Sequence, residues 1–440
     1  MLGGGNFTSQ NKILPGSYIN FISSSNASVT LSERGIVAMA MNLSWGVDDE
    51  VIKIEVEDFK SNSLKLLGYS YEADELKGIR DIFKNARRLY IYRLNSGEKA
   101  TNTYATAKCS GIRGNDIKIA IENSSETEGN FIVSTYLAKT AGGTTYTQVD
   151  KQEVKDATEL KDNDYVTFKT NAALELTAGV NLTGGTNTEE VTGKEYQAAL
   201  DKFESYTFNV LGCLSTNETI KALFAEYTRR MRDERGSKFQ CVVYDYSADY
   251  EGVINLVNKV TDSDNEADLI YWVSGAVAGC EVNKSCTNKS YDGEFDVDVN
   301  YTQAELEKFI QTGCFALHQV NDNINVLKDI NSFVTITTEK NADFGLNQVI
   351  RVLDQVANDV AVIFGNKYLG KIQNNNAGRT SLWNDIVTYC KELEKIEAIE
   401  EFKADEVVVE MGENKTSAVI SNAIKPTCAM EQIYNSIVVS

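Results

Sequence analysis

The chain has 440 residues and a formal net charge of −20, with 42% hydrophobic and 24% charged residues. This length is enough for two to four domains with cores of their own, and the proportions are ordinary for a globular protein. The acidic balance argues against a nucleic-acid backbone or an anionic membrane surface as a direct partner, because both need clustered lysine and arginine.

Cysteine usage and hydropathy predict a soluble protein made inside the cell. Eight cysteines are scattered along the chain, most of them in apolar surroundings. That pattern is typical of buried free thiols in a reducing compartment rather than of a disulfide framework. The N-terminus lacks the basic and apolar regions of a signal peptide, and the longest nearly apolar stretch, residues 269–280, is too short to span a bilayer.

The first segment has the composition of a strand set apart from a domain. Residues 13–22 follow a glycine-rich leader and include Pro15, one of only two prolines in the chain. Proline fixes φ and disfavours helix at the preceding residue, so the junction with the body should be extended and stiff. We interpret residues 1–22 as an N-terminal arm, with the candidate linking residues Ile13, Tyr18, Ile19 and Phe21.

The next segment, residues 23–94, favours a mixed α/β structure. Residues 33–41, 49–57 and 88–94 have strand patterns, and residues 71–85 form the pattern of a short amphipathic helix.

Composition changes near Asn95. Residues 95–187 are rich in Thr, Gly, Asn and Ser and contain short alternating runs, which predict a small all-β sandwich or barrel. We interpret this region as a β domain inserted into the α/β body.

Residues 188–340 return to alternating strand and helix patterns, which predict a sheet with helices on both faces. Thr302 and Glu305 have the spacing of a capping box at the start of one of these helices.

Residues 341–426 predict a C-terminal domain of two helices and a hairpin. The helices are expected at 343–364 and 379–398, and the strands at 405–411 and 416–424 around a loop at 412–415. Such a pair has at least one free edge, and we take Val407, Val409, Val419 and Ile420 as candidate residues of an acceptor sheet.

The last residues, 427–440, follow the second proline, Pro426, and form a C-terminal arm in this interpretation. Residues 433–439 are mostly β-branched or aromatic, which is a strand composition at the bare end of a chain. The candidate linking residues are Ile433, Tyr434, Ile437, Val438 and Val439. Two nearly uncharged strand-like arms on an acidic body suggest a protein that pairs with copies of itself.

Candidate chemical sites are weak throughout the chain. His318 lies in a strand pattern without a nucleophile signature, so a structural role is favoured. Cys280 and Cys286 are six residues apart without a second pair, which argues against zinc. The acidic run 292–299 could hold a cation but lacks the calcium-loop pattern, and we interpret it as a solvated strand edge.

Nucleotide-binding signatures are also missing from the sequence. The Gly-Gly pairs at 142–143 and 184–185 lack the following helix and lysine of a phosphate loop. The basic cluster 229–235 is mixed in sign at the predicted end of a helix, which favours a helix cap or a subunit contact. We therefore predict no catalytic residue, no metal, no cofactor and no enzymatic activity.

Several segments resemble the contractile tail sheath proteins of phages and of phage-tail-like bacteriocins of the Gram-positive type. The opening 3–21 is similar to the N-terminal arm of that family, and 111–117 to its Gly-x-Arg-Gly-Asn element. Residues 351–354, 368–371 and 378–379 are similar to its C-terminal helices. The most specific match is 426–434 with 437–439, where Thr427-Cys428 departs from the expected Val-Asp.

The resemblance implies a fold and a mechanism. The fold is an α/β (α+β) multidomain chain with an inserted, outward-facing β domain and terminal β arms. Subunits would form stacked hexameric rings of a helical homo-polymer around an inner tail tube protein, and their arms would add strands to neighbouring C-terminal domains. Contraction would need no nucleotide and would drive the tube through a bacterial envelope.

The same resemblance implies further partners and a location. Baseplate and tail terminator proteins are expected partners, and the protein would lie in the tail of a virion or bacteriocin particle assembled in the host bacterial cytoplasm. The C-terminal domain would face the tube, with Arg379, Lys391 and Lys395 as candidate contacts.

Two other classes of function remain open at this point. An α/β-fold hydrolase or transferase would need a pocket of convergent titratable groups. A donor-strand surface adhesin would be expected to carry a signal peptide.

Overall fold

The computed structural model of the protein describes residues 31–439. The predicted N-terminal arm, with Ile13, Tyr18, Ile19 and Phe21, therefore lies outside the described residues.

Helices and strands follow one another in four blocks. The first contains β1 (Ile36–Met41), β2 (Val51–Glu55), α1 (Val56–Leu67), α2 (Lys77–Phe83) and β3 (Arg88–Arg93). The second contains β4 (Ala105–Ala107), β5 (Ile117–Asn123), β6 (Phe131–Ala138), β7 (Tyr146–Val154), β8 (Val166–Phe168) and β9 (Thr177–Asn181). The third contains α3 (Gly193–Phe203), β10 (Val210–Cys213), α4 (Glu218–Asp233), β11 (Gln240–Tyr244), β12 (Val253–Leu256), α5 (Leu269–Gly279), α6 (Gln303–Gln311), β13 (Cys314–Phe315), β14 (Leu317–Val320) and β15 (Asn323–Val326). The fourth contains α7 (Asn347–Ile363), α8 (Asn376–Lys395), β16 (Val408–Met411) and β17 (Ala418–Ser421).

A seven-stranded sheet forms the centre of the body, in the order β13-β12-β11-β10-β1-β3-β2. Its strands are parallel except β2, which runs antiparallel to β3 at one edge. Both faces of β1 are buried: Val37 and Met39 face one side, and Ala38 and Ala40 the other. A shift of one residue would exchange the two faces, so packing on both sides fixes the register.

Helices cover both faces of this sheet, as the alternating pattern predicted. On one side α1, α2 and α5 pack against the strands, and on the other α3 and α4 do so. Helices α2 and α5 approach very closely at Gly275, where a Cβ atom would overlap the carbonyl oxygen of Ile82. Glycine is required there because no side chain fits between the two backbones.

The inserted domain is all-β, as predicted. Its four-stranded sheet has the order β7-β6-β5-β9, and β4 pairs with β8 in a second, short sheet. Trp45 of the body is buried in the hydrophobic core of this domain. The buried Arg113, from the Gly-x-Arg-Gly-Asn element, donates to the carbonyl of Gly68 in the body at 2.8 Å. These two contacts join the insertion to the body in addition to its covalent connections.

Both predicted C-terminal helices are present, within a few residues of their expected bounds. Leu382, Ile386, Tyr389 and Leu393 of α8 are buried against α7, while Ile396 is half-buried. The capping box predicted at Thr302 and Glu305 is present at the start of α6.

Helix α1 was not predicted. The pattern at 49–57 indicated a strand through to residue 57, but the strand ends at Glu55 and the helix begins at the next residue. The N-cap Glu55 makes no side-chain capping hydrogen bond, so the usual sequence signal of a helix start is missing.

The interpretation of residues 292–299 as a solvated strand edge is wrong. This segment forms only an isolated bridge, between Val297 and Val260. Asp292 accepts a hydrogen bond from the Trp272 indole at 2.7 Å, and Glu294 pairs with the buried Arg80 at 2.7 Å. Asp292 and Glu294 therefore lie in a loop that is held by the buried side chains of Trp272 and Arg80.

Candidate functional site

The C-terminal hairpin is the candidate acceptor, and it is present. Strands β16 and β17 pair antiparallel, with Val409 opposite Ile420 and Glu410 opposite Val419. The Gly412 N–H donates to the Ser417 carbonyl at 2.9 Å at the start of the hairpin loop. The loop therefore closes where the sequence predicted it, between the two strands.

Hydrogen bonding in the hairpin leaves two edges facing outward. In an antiparallel pair, hydrogen-bonded and non-hydrogen-bonded residue pairs alternate. Since Gly412 and Ser417 form a hydrogen-bonded pair, Glu410 and Val419 form the next one. The backbone N–H and C=O groups of Val409 and Ile420 consequently point away from the hairpin, toward the two edges.

The predicted acceptor residues take different positions. Val409 and Ile420 are half-buried against the C-terminal core, and Val419 is exposed on the other face. Val407 precedes β16 rather than belonging to it. It is buried, and its carbonyl accepts a hydrogen bond from the Trp383 indole of α8 at 2.8 Å. Val407 thus fastens the hairpin to the helix.

A shallow apolar pocket lies beside β17. Its lining includes Leu369, Ile372 and Leu382, together with Thr416 and Ala418 of the hairpin. Leu369 and Ile372 are both exposed large apolar side chains. An extended segment added along β17 would place side chains over this pocket.

Within residues 31–439, the segment 433–439 has no strand partner. Residues 433–439 form no strand, and Ile433 and Val438 are 90% and 92% exposed. Tyr434, Ile437 and Val439 are similarly exposed. A row of exposed apolar side chains is costly in water.

The proposed tube-facing residues divide into two groups. Arg379 donates to the carbonyl and the side-chain oxygen of Asn374, both at 3.1 Å, so it braces the loop before α8. Lys391 and Lys395 lie on the exposed side of the helix. Lys395 pairs only with Glu392 of its own helix, at 3.3 Å, among the described residues.

Buried ion pairs fasten α7 to the body, and sequence reasoning missed them. Arg232 of α4 pairs with Asp354 of α7, and Arg351 of α7 pairs with Asp329 of the body at 3.1 Å. Burial alone would lower the pKa of Arg232, but the charge and hydrogen bonds of Asp354 outweigh it and raise that pKa. The interpretation of the 229–235 cluster as a cap or subunit contact is therefore wrong for Arg232. The sequence signal for these pairs is the presence of the charged residues Arg351 and Asp354 among the apolar residues of α7.

Groups that could do chemistry do not converge. His318 pairs with Asn325 in the β14–β15 ladder, and burial lowers its pKa. The neighbouring Cys286 thiol and the charge of Arg351 lower the pKa of Cys280, and all eight cysteines are free thiols. Among residues 31–439, no group of three or more His, Cys, Asp or Glu side chains is placed to hold a metal ion. Within the same range, every helix is too short or too polar to cross a lipid bilayer.

Comparison with known protein families matches almost the whole described chain. The matching descriptions are the tail sheath protein Gp18 domain III N-terminal region over residues 34–94 and the phage tail sheath protein β-sandwich domain over 95–187. The phage tail sheath protein central domain matches 189–332, and the phage tail sheath C-terminal domain matches 339–440.

Individual proteins agree with the family match. The chain is 33% identical to the phage-like element PBSX protein XkdK of Bacillus subtilis over 478 aligned positions, which cover 100% of both chains. It is 36% identical to the sheath tail protein from Desulfitobacterium hafniense, whose crystal structure superposes with a TM-score of 0.81 over 94% of this chain and 98% of that one. The contracted helical sheath of the anti-feeding prophage shares the fold, with a TM-score of 0.56 at 14% identity over 97% and 99% of the two chains. This protein therefore belongs to the phage tail sheath protein family and is a structural protein rather than an enzyme.

Proposed function

We propose that this protein polymerises into a contractile helical sheath around an inner tail tube, with terminal arms that add as strands to the C-terminal hairpins of neighbouring subunits. The observation that carries the proposal is that one chain contains both a hairpin with open edges and an exposed apolar arm. Both edges of β16–β17 present backbone groups outward, and residues 433–439 carry exposed apolar side chains and form no strand with the part of the subunit that the structure describes.

Strand addition suits both surfaces. Each ladder hydrogen bond contributes on the order of 1 kcal/mol net, and burial of apolar side chains adds to it. In an extended segment Ile433, Ile437 and Val439 face one side, and Tyr434 and Val438 the other. One set would lie toward the C-terminal core and the pocket beside β17, and the other toward solvent or another subunit.

The body and the C-terminal domain should move as one unit. The buried pairs Arg232–Asp354 and Arg351–Asp329 cross between them, and breaking either would leave an unpaired buried charge. We infer that contraction rearranges whole subunits while the arms keep them linked. In this account the extended sheath is metastable, and new contacts between subunits drive contraction without nucleotide.

We extend the proposal to the division of the chain and to its partners. Residues 1–22 and 427–440 are the arms, 23–94 with 188–340 the body, 95–187 the outward-facing insertion and 341–426 the domain that faces the tube. The exposed side of α8, with Lys391 and Lys395, is the surface proposed to contact the inner tube protein. We further propose that the subunits form stacked hexameric rings and that the sheath contacts baseplate and tail terminator proteins. Assembly would take place in the host bacterial cytoplasm.

Proline substitution at the hairpin edges tests the acceptor. Ala418 and Met411 are opposite each other and, by the same alternation, their N–H groups point to the outer edges of β17 and β16. Proline lacks an N–H, so Ala418→Pro or Met411→Pro should remove a bond to an added strand while the hairpin ladder is kept. Ala418→Ser and Met411→Leu are the matched controls.

We expect at least one of the two proline variants to remain folded and fail to polymerise, while both controls assemble. The variant that fails identifies the edge that accepts the arm. Normal polymers from both proline variants would contradict strand addition at this hairpin.

A further inference from the structure

The C-terminal arm is attached to its own subunit before it becomes free. Pro426 forms a bridge with Ile399, and the Thr427 N–H donates to the carbonyl of Ala398 at 3.1 Å. The Thr427 hydroxyl also donates to the carbonyl of Glu397. The chain therefore passes the end of α8 in a defined path.

The next residues bind across the boundary between the body and α7. The Ala429 N–H donates to the side-chain oxygen of Gln348 on α7 at 3.0 Å. Glu431 accepts a hydrogen bond from the Thr287 hydroxyl at 2.7 Å, and it pairs with Lys328 at 3.5 Å. Both Glu431 partners lie in the body, so three contacts hold residues 429–431 against the body and α7.

These contacts end at Glu431. Among the described residues, 433–439 make no hydrogen bond or ion pair to the body, and their apolar side chains are exposed. A fully extended chain spans about 3.3 Å per residue. The eight residues 433–440 can therefore reach about 26 Å, whereas a chain free from residue 427 onward would reach about 46 Å.

We propose that Thr287, Lys328 and Gln348 form an arm anchor, which fixes where the C-terminal tether leaves the subunit and so limits which neighbour it can reach. The anchor is a property of the free subunit. Its consequence for assembly rests on the proposed function, because the tether must have a hairpin to reach. A short tether with a fixed origin has a higher effective concentration at one acceptor than a long one has at several.

Cross-linking in the free subunit tests whether the anchor exists. A carbodiimide joins a carboxylate to an amine without a spacer, so it should link Glu431 to Lys328, and peptide mapping would locate the new amide bond. Glu431→Gln should abolish this cross-link. Glu226→Gln is the matched control, because it removes an exposed ion pair with Arg229 far along the chain from the arm.

Hydrogen exchange gives an independent measurement. The amide of Ala429 should exchange at least about tenfold more slowly than amides of residues 433–439, and Glu431→Gln should reduce that difference. Equal exchange in the two segments, or absence of the Glu431–Lys328 cross-link in the wild-type protein, would overturn the anchor.

Assembly tests the consequence. The double variant Lys328→Met, Glu431→Gln should still polymerise, because its tether and hairpin are intact, but its tubes should lose a uniform helical lattice in electron micrographs. Tubes as regular as those of the wild type and of Glu226→Gln would show that the anchor does not guide the arm. If deletion of 433–440 leaves polymers unchanged, the proposed function fails while the cross-linking result still stands.

Discussion

Arg232 and Asp354 form a two-bonded ion pair between α4 and α7, with nitrogen–oxygen distances of 2.6 and 2.8 Å. Both side chains are almost completely buried. The pair joins residues 122 positions apart in the chain and connects the body to the C-terminal domain. The pair therefore supports the proposal that these two parts move as one unit.

Asp354→Ala should lower the free energy of unfolding by about 3–5 kcal/mol, because it leaves the Arg232 guanidinium buried without a counter-charge. Urea unfolding followed by circular dichroism measures this loss. Arg229→Ala is the control on the same helix, since the side chains of Arg229 and its ion-pair partner Glu226 are both exposed, and it should change stability by less than about 1 kcal/mol. Similar effects of the two substitutions would contradict a structural role for the buried pair.

Gly275→Ala should destabilise the protein by about 1–3 kcal/mol, because the new methyl group would force α5 away from the Ile82 carbonyl. Thermal unfolding would show the loss as a lower midpoint temperature. Gly365→Ala serves as the control, because a Cβ atom at Gly365 meets no other atom within 4 Å. A Gly275→Ala protein as stable as the control variant would show that the two helices separate easily.

Asp81 should make stability depend on pH. Its carboxylate is buried and accepts the Glu294 N–H at 2.9 Å, and burial raises its pKa to about 7. The folded pKa lies above the unfolded value, so between about pH 4 and 7 the native state holds a proton that the unfolded state has lost. Stability from this group is therefore present in acid and is lost as the pH rises through 7.

Asp81→Asn should remove this dependence. Relative to the wild type, the variant should gain on the order of 1–3 kcal/mol between pH 5 and pH 8, measured from urea midpoints at both values. Because both proteins contain the same other titrating groups, the contributions of those groups to the pH dependence cancel in the difference. A constant difference between them across this pH range would contradict a raised pKa for Asp81.

Charge-reversal variants of α8 should distinguish residues that contact the tube from residues that stabilise the subunit itself. Lys391→Glu with Lys395→Glu should leave the fold intact and weaken assembly on purified tubes, because both side chains are exposed. Arg379→Glu should instead loosen the loop at Asn374, which also holds the carbonyl of Ser417 in the hairpin at 2.7 Å. Co-sedimentation with tubes and thermal unfolding distinguish the two effects. Unchanged sedimentation of the double lysine variant would rule out this face as the tube contact.

Local patterns predicted the elements whose signals are contained within a few residues. Alternation and a turn sequence predicted the β16–β17 hairpin, and apolar periodicity predicted the helices α7 and α8. Val407 shows the limit of that reasoning. Its alternating neighbours suggested a strand position, but the Trp383 indole, 24 residues earlier, binds its carbonyl and holds it under the hairpin.

Pairings between distant residues could not be predicted. The alternating acidic residues near Glu294 imitate a strand, yet the partner of Glu294 is Arg80, 214 residues away. The sequence marks the start of the arm at Pro426 but gives no sign of the contacts of Glu431 with Thr287 and Lys328, which hold the arm to its own subunit as far as residue 431. Local periodicity contains no information about which distant donor satisfies a carboxylate.

Deletion of residues 433–440 tests the central claim most directly, since it removes the exposed arm and leaves the anchor and the hairpin in place. The account predicts a folded monomer by circular dichroism and analytical ultracentrifugation. Negative-stain micrographs should show no hollow tubes under conditions in which the full-length protein forms them. Tubes of unchanged length and diameter from the shortened protein would contradict linkage of subunits by the C-terminal arm.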